Sequence, residues 1–479
     1  MPQPEIQATL QPAQAQRWNM LGGFQGALAS PAAQKELWGW CVLALLSLGL
    51  AGIFALLLAV SRVPNVQDVF PWPLQFFEKG LVIHVVFSFV VWFLSILGAL
   101  GTIATYRVSA GELKLAGLGP LSVWGSLIAF LLLFVPGFLD RGEPSLNNYV
   151  PVIIDPLYYA GLVVFFLSLV VVAIRLAVNV AAKTGAFEPV AQTTLLSGGV
   201  FLLSLLCFAI AYGEVAGGEV NGAYNEELFW GGGHVMQFLN TGLMMAAWYV
   251  IGGNAIGRPL VDPRLYRSAI WLLYIATPGL VAIYFVAEPM GFDVRESFTW
   301  MQYWMGPPVL IMAGAMIVTL SQHRDSTGGL PWRDPGFVAL ILSALVFFFG
   351  GFLGIFVDGA DTRTPAHYHG VIGGVNTAFM GLFFVFFLPL LDRGLRTGRA
   401  ILLSIWFYAV GQTFHSLGLF MAGGYGAPRK TAGADQGIEE LSAEIGLYLM
   451  GVGAVVAVAG GIMFIWIVAR ALARRRAEI

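Results

Sequence analysis

Charged residues are scarce in this chain: Asp, Glu, Lys and Arg make up 11% of its 479 residues, and the formal net charge is −2. So little basic surplus excludes a nucleic-acid binder, which needs a positive face to neutralise phosphates. Cysteine is nearly absent. The two present, Cys41 and Cys207, lie in separate apolar runs, which excludes a disulfide framework, a Cys-x-x-Cys motif and a copper-binding cysteine cluster. A basic start followed by a short apolar core is missing from the first 38 residues, so that stretch predicts an interfacial arm and not a cleaved signal peptide. Histidine is rare as well, with six in all.

What the chain does have is apolar sequence. It is 58% hydrophobic and carries 59 glycines, with a mean hydropathy of +0.77, which suits a protein whose solvent is the lipid bilayer. Twelve stretches are long enough to cross at about 20 residues each. They are roughly 39–62, 81–105, 118–139, 157–182, 193–213, 226–253, 267–288, 299–321, 336–357, 366–391, 400–422 and 443–471. The prediction is an all-α polytopic membrane protein: an arm over 1–38, a twelve-helix membrane domain over 39–472 and a basic tail over 473–479. No internal repeat and no appended soluble domain are evident. With the N-terminus inside, all but seven of the 25 basic residues (Arg62, Lys79, Arg141, Arg295, Arg363, Arg429 and Lys430) fall on the inner side. The positive-inside rule then puts both termini in the cytoplasm, as for a multi-pass protein of the bacterial inner membrane.

The stretch "TPAHYHGVIGGV" (364–375) places His367 and His369 two positions apart at the outer mouth of span ten. In a strand such a pair would share a face and chelate one ion. A lone strand cannot satisfy its backbone in lipid, so the stretch is helical, and there the two imidazoles point about 200° apart. They would serve two separate metal centres. Of the remaining histidines, His84 lies at the outer end of span two, His234 in the outer part of span six and His415 in span eleven, with His323 in an inner loop. Ionisable groups in a membrane are costly and point to function. A single histidine in an apolar helix can equally be packing glue, and that reading stays open for His415 and His323.

This distribution resembles the catalytic subunit of the haem-copper oxidase superfamily, which includes terminal oxygen reductases and nitric oxide reductases. The similarity runs over nearly the whole chain: twelve spans, a histidine in span two, one in span six and His-x-His in span ten. "FHSLGLFMAGGYGAPRK" (414–430) is similar to the family's run ending in a basic pair. The resemblance implies that His84 and His369 are axial ligands of a low-spin haem and that His367 is the proximal ligand of a high-spin haem, both of b type. It implies that Arg429 and Lys430 hold haem propionates, through the charge-assisted bonds such a pair makes.

Two departures stand out. The family's distal copper takes a His-His pair in span seven, but "YIATPGLVAIYFVAEPMGFDVRESF" (274–298) has no histidine, and Phe285 and Val286 stand where the pair should be. His234, Gln237 and Glu288, with Asp293 nearby, remain as candidates for the distal site. A mixed imidazole and carboxylate set with His234 and Glu288 as ligands suits non-haem iron better than copper, and nitric oxide reductases of the superfamily use such an iron. The second departure concerns protons. The inner halves of the spans lack lysine, Met236 replaces the family's glutamate, and Phe238 stands where oxidases carry a tyrosine. Acids cluster instead on the outer side, where Glu214, Glu219, Glu226 and Glu227 lead toward His234 or, equally, form a wet loop.

The expected activity is therefore reduction of nitric oxide to nitrous oxide at a high-spin haem and non-haem metal, with protons from the periplasmic side. Electrons would come from a cytochrome c, a cupredoxin or quinol. The alternatives are a divergent oxygen reductase or NO-disproportionating enzyme, and a two-haem electron-transfer or gas-sensing subunit without the distal metal.

Overall fold

A computed structural model describes residues 20–66, 74–139, 141–182, 185–357, 359 and 361–474. Half of the interfacial arm (1–19), the last five residues of the tail, which include Arg475 and Arg476, and Arg17 and Lys183 lie outside the described residues. Twelve helices among the described residues are long and apolar enough to cross a membrane. Span one runs Pro31–Arg62, span two Phe77–Ser109, span three Leu118–Phe138, span four Pro156–Ala182, span five Pro189–Val215 and span six Gly222–Ile256. Spans seven to twelve run Pro263–Val286, Val294–Thr327, Pro335–Gly354, Arg363–Leu390, Arg399–Gly424 and Leu441–Ala473. Span one starts eight residues before the expected position 39, because Ser30 accepts a bond from the Ala33 amide at 3.2 Å and Pro31 occupies the first turn. Glu36 therefore belongs to a membrane helix and not to the arm. Asp262 before Pro263 and Asp334 before Pro335 start spans seven and nine by the same chemistry.

Burial sorts the helices. In spans six, ten and two, 94%, 83% and 78% of the most apolar window is enclosed by protein, against 28% in span eight. The spans that carry His234, the His-x-His pair and His84 thus form the interior, and lipid-facing helices surround them. Side-chain bonds tie them together. Trp92 of span two donates to Asn376 of span ten at 2.8 Å, and Asn376 donates to Tyr408 of span eleven at 2.6 Å. Trp248 of span six donates to Ser343 of span nine at 2.7 Å, which donates to the Gly374 carbonyl of span ten at 2.6 Å.

Glycine sets the closest helix approaches. Gly411 and Gly418 of span eleven face Gly453 and Gly446 of span twelve, Gly460 packs against Ser404 and Tyr408, and a Cβ at Gly453 would fall 2.3 Å from the His415 amide nitrogen. Small residues at such crossings are the means by which membrane helices pack without a hydrophobic driving force. Spans two and ten, which carry His84 and the His-x-His pair, each contain a π-helical turn, Val86–Val91 and Phe383–Phe387, a distortion that recurs at functional sites. In span two it begins two residues after His84. Ser47 supports it by donating to the Phe87 carbonyl at 2.5 Å.

Where the start of span one meets the ends of spans two and four lies a buried ion pair. Arg175 donates to Glu36 at 2.6 and 3.2 Å, and the Tyr106 hydroxyl donates to the same carboxylate at 2.8 Å. The absent side chain of Gly119 makes room for it, since a Cβ there would sit 2.3 Å from both charged groups.

Candidate functional site

His84 and His369 face each other across the bundle, with ring centres 6.4 Å apart and planes 17° from parallel. Two imidazoles bound to one iron, each by a bond of about 2 Å with about 1 Å more from nitrogen to ring centre, would stand roughly 6 Å apart. The gap fits an iron between them. The His84 Nδ1 lies 3.0 Å from the Ala51 carbonyl, which can only accept, so Nδ1 carries the proton and Nε2 is free to ligate. His369 is held by Gln412 and by the edge-on ring of His415 at 4.4 Å. His415 in turn donates from Nδ1 to the Met450 carbonyl at 3.0 Å. His84, His367 and His369 are each only partly buried, so each ring keeps some accessible surface.

His367 points elsewhere. Its Nδ1 donates to the Gly350 carbonyl of span nine at 2.8 Å, leaving Nε2 available. The ring lies in a notch made by Gly354, where a Cβ would come within 2.6 Å of Nδ1. One helix thus sends neighbouring imidazoles to spans nine and two. Gly354→Ala is expected to displace the His367 ring and weaken haem retention at that seat by about 10- to 100-fold, the equivalent of the cost of overpacking. Haem per chain, measured by its pyridine complex, should then fall from two toward one.

The distal donor set does not assemble as expected. His234 donates from Nδ1 to the Trp230 carbonyl at 2.8 Å, so its Nε2 must accept, and it accepts from the Tyr149 hydroxyl at 3.0 Å. Tyr149, Trp230 and Phe298 box the ring in, at 4.5, 4.7 and 5.8 Å between centres. Gln237 donates within its own helix, to the Gly233 carbonyl at 3.3 Å. Glu288 lies on an exposed turn over Glu288–Met290. Among the described residues, no three His, Cys, Asp or Glu side chains converge to hold a metal ion. The physical cause is in span seven, whose helix is interrupted between Tyr274 and Thr277 and ends in that tight turn. Phe285 and Val286 consequently face outward, 64% and 45% exposed.

The four acids Glu214, Glu219, Glu226 and Glu227 are not strung in a file either. Glu214 and Glu219 are exposed, and Glu227 pairs with Arg295 at 2.8 Å, whose guanidinium lies over Trp230. Only Glu226 reaches inward. It accepts from the Asn148 amide at 2.9 Å and from the Asn148 side chain at 2.7 Å. Asn148 accepts from Arg429 at 3.0 Å, and Lys430 donates to the Leu146 carbonyl. Arg429 also bonds Tyr368, the residue between the paired histidines.

The centre of this network is a hairpin of β1 (Pro144–Ser145) and β2 (Val152–Ile153) between spans three and four, whose tip carries Asn148 and Tyr149. Sequence reasoning passed over both residues. The available signal was the turn chemistry of "LNNYVP", which fits a tight, side-chain-bonded loop. Burial pushes the Tyr149 phenol well above its usual value, so it remains a donor. It also pushes the Lys430 ammonium down to about 8, against a pull from Glu226. A carboxylate beside Lys430 would raise it again and favour its charged form, which fits a propionate.

Twelve crossing helices, with imidazoles in facing and offset pairs between them, define a multi-pass membrane protein. The sequence model of the family described as cytochrome c and quinol oxidase polypeptide I matches residues 37–456, and the chain belongs to that family. It is a membrane oxidoreductase of the haem-copper oxidase subunit I type. It is 25% identical to an uncharacterized protein of Rickettsia prowazekii, over 89% of this chain and 94% of that one. It is 28% identical to an uncharacterized protein of Aquifex aeolicus, over 72% of this chain and 83% of that one. It is 24% identical to cytochrome c oxidase subunit 1 of Thermus thermophilus, over 78% of this chain and 72% of that one.

Proposed function

We propose that this chain reduces nitric oxide to nitrous oxide in the bacterial inner membrane, with both termini cytoplasmic. Haem bound at the two seats would supply one-electron transfer at the first and an open iron position for a diatomic gas at the second. His84 and His369 hold and orient the first group, His367 the second, and Arg429 with Lys430 receives the carboxylates of both or either. Two molecules of nitric oxide, two electrons and two protons give one nitrous oxide and one water; an N–N bond forms and one N–O bond breaks. Glu226, joined through the hairpin tip to the His234 region, is the group that passes protons from the outer side. A cytochrome c, a cupredoxin or quinol supplies the electrons.

The observation that carries this reading is the divergence of His367 and His369 to different neighbouring helices at the outer end of span ten, beside proton-bearing groups of the same end. A second reading, a two-haem electron-transfer or gas-sensing subunit, is favoured by the engagement of His234 Nε2 with Tyr149. Purified protein given reduced donor and nitric oxide under anaerobic conditions decides between them. Nitrous oxide formed in a 1:2 ratio to nitric oxide consumed supports the first. Gas binding with no turnover supports the second, and oxygen consumption without nitrous oxide assigns the chain to the oxygen reductases.

A further inference from the structure

We infer that Tyr149 is the distal ligand-binding group of the His367 site, and that the Tyr149–His234 pair takes the place of a second metal. A gas bound there is held by a hydrogen bond from the phenol and not by a bridge between two metal ions. This rests on the proposed haem at His367.

Four observations converge. The first is that the second nitrogen of His234 is already satisfied by the Tyr149 hydroxyl, and around the box of Tyr149, Trp230 and Phe298 no group of three His, Cys, Asp or Glu forms a coordination shell among the described residues. Catalytic metal sites of the zinc type are built from three such donors. The second is backbone strain. Tyr149 has a φ of +65°, a conformation that a bulky side chain adopts only when its surroundings over-determine it. The surroundings do: Ser145 donates to the Asn147 side chain at 3.0 Å, Asn147 to the Val150 carbonyl at 2.5 Å, and Asn148 is clamped between Glu226 and Arg429.

The third is a tailored space. A Cβ at Gly233 would fall 2.5 Å from the Tyr149 Cβ, so the glycine next to His234 is what admits the tyrosine. The fourth is location. Tyr149 is within electrostatic reach of Tyr368, the residue following His367 on span ten, and spans six, nine and ten are tied by the Trp248–Ser343–Gly374 bonds. A hydroxyl has one hydrogen to give and two lone pairs. Turning that hydrogen from His234 to a bound ligand replaces one hydrogen bond with another, and the imidazole remains behind it as an acceptor.

The test uses the full chain, purified in detergent with its haems. Metal analysis is expected to give two irons per chain, both accounted for by haem, and no copper. With carbon monoxide as the probe on the reduced protein, Tyr149→Phe is expected to shift the C–O stretching frequency and to speed dissociation by about tenfold, the loss of one hydrogen bond, at unchanged haem content. Asn148→Ala, which only loosens the hairpin, should move both readouts in the same direction by less. A third iron or a copper per chain that disappears in His234→Ala overturns the inference, as do unchanged carbon monoxide signals in Tyr149→Phe with full haem. Nitrous oxide assayed in parallel separates the two ideas. A Tyr149 effect without nitrous oxide sinks the nitric oxide reading alone, whereas nitrous oxide production with a bound non-haem metal sinks this inference alone.

Discussion

Replacing His367 and His369 one at a time by alanine should remove different haems. The His369→Ala protein is expected to lose the low-spin, bis-imidazole spectrum, to keep carbon monoxide binding, and to fall more than about 100-fold in turnover with an external electron donor, since loss of a ligand exceeds the 10- to 100-fold cost of losing a supporting residue. His367→Ala is expected to do the reverse, retaining the low-spin spectrum while carbon monoxide binding disappears. His84→Ala should match His369→Ala, because the two rings flank one 6.4 Å gap. Haem stoichiometry and visible spectra of the three proteins check this. Loss of the same haem in His367→Ala and His369→Ala would show that the imidazoles share a centre. A T-shaped neighbour at 4.4 Å makes His415 a support of His369, so its replacement should perturb the low-spin spectrum without abolishing it.

The second large effect concerns stability. The side chains of Glu36 and Arg175 are 2% and 4% exposed, so Glu36→Gln strands a buried guanidinium, a loss of about 3–5 kcal/mol for a pair of this kind. The Nε of Arg175 has no partner among the described residues, so the guanidinium depends on Glu36 for its side-chain bonds. Thermal unfolding in detergent should show a clear fall for Glu36→Gln and for Arg175→Met. The double replacement Glu36→Leu with Arg175→Met should recover much of it, since an apolar pair of similar volume avoids the desolvation cost. A double variant as unstable as the worse single one would mean that shape around Gly119, and not charge, holds this corner.

Much of the architecture was legible from composition alone. Runs of about 20 apolar residues have one outcome in lipid, where the backbone must satisfy itself within a helix, and the twelve expected spans match the twelve observed to within several residues at each end. Capping chemistry explains the largest offset, at Ser30 and Pro31, which a hydropathy window does not register. The divergence of His367 and His369 was also readable, because it follows from helical geometry over three residues. The distal region was not. Glu288 and Gln237 were placed near His234 by counting along spans, and counting cannot foresee that span seven is interrupted near Ile275 and turns Glu288 outward. Tyr149 lies 85 residues from its partner, and Glu36 lies 139 from Arg175. Pairings of that kind are invisible to local pattern.

The sequence by itself determined that this chain crosses the bilayer twelve times and that its few imidazoles gather near one side, since apolar length and helical periodicity are local properties that no distant contact can revise. Only the tertiary structure decided what each imidazole touches. His84 meets His369 across a gap of iron's width, and a hairpin far along the chain sends Tyr149 to His234. Both follow from helix packing at glycine crossings and from a strained turn held by polar bonds, forces that act between segments and leave no periodic trace in either one.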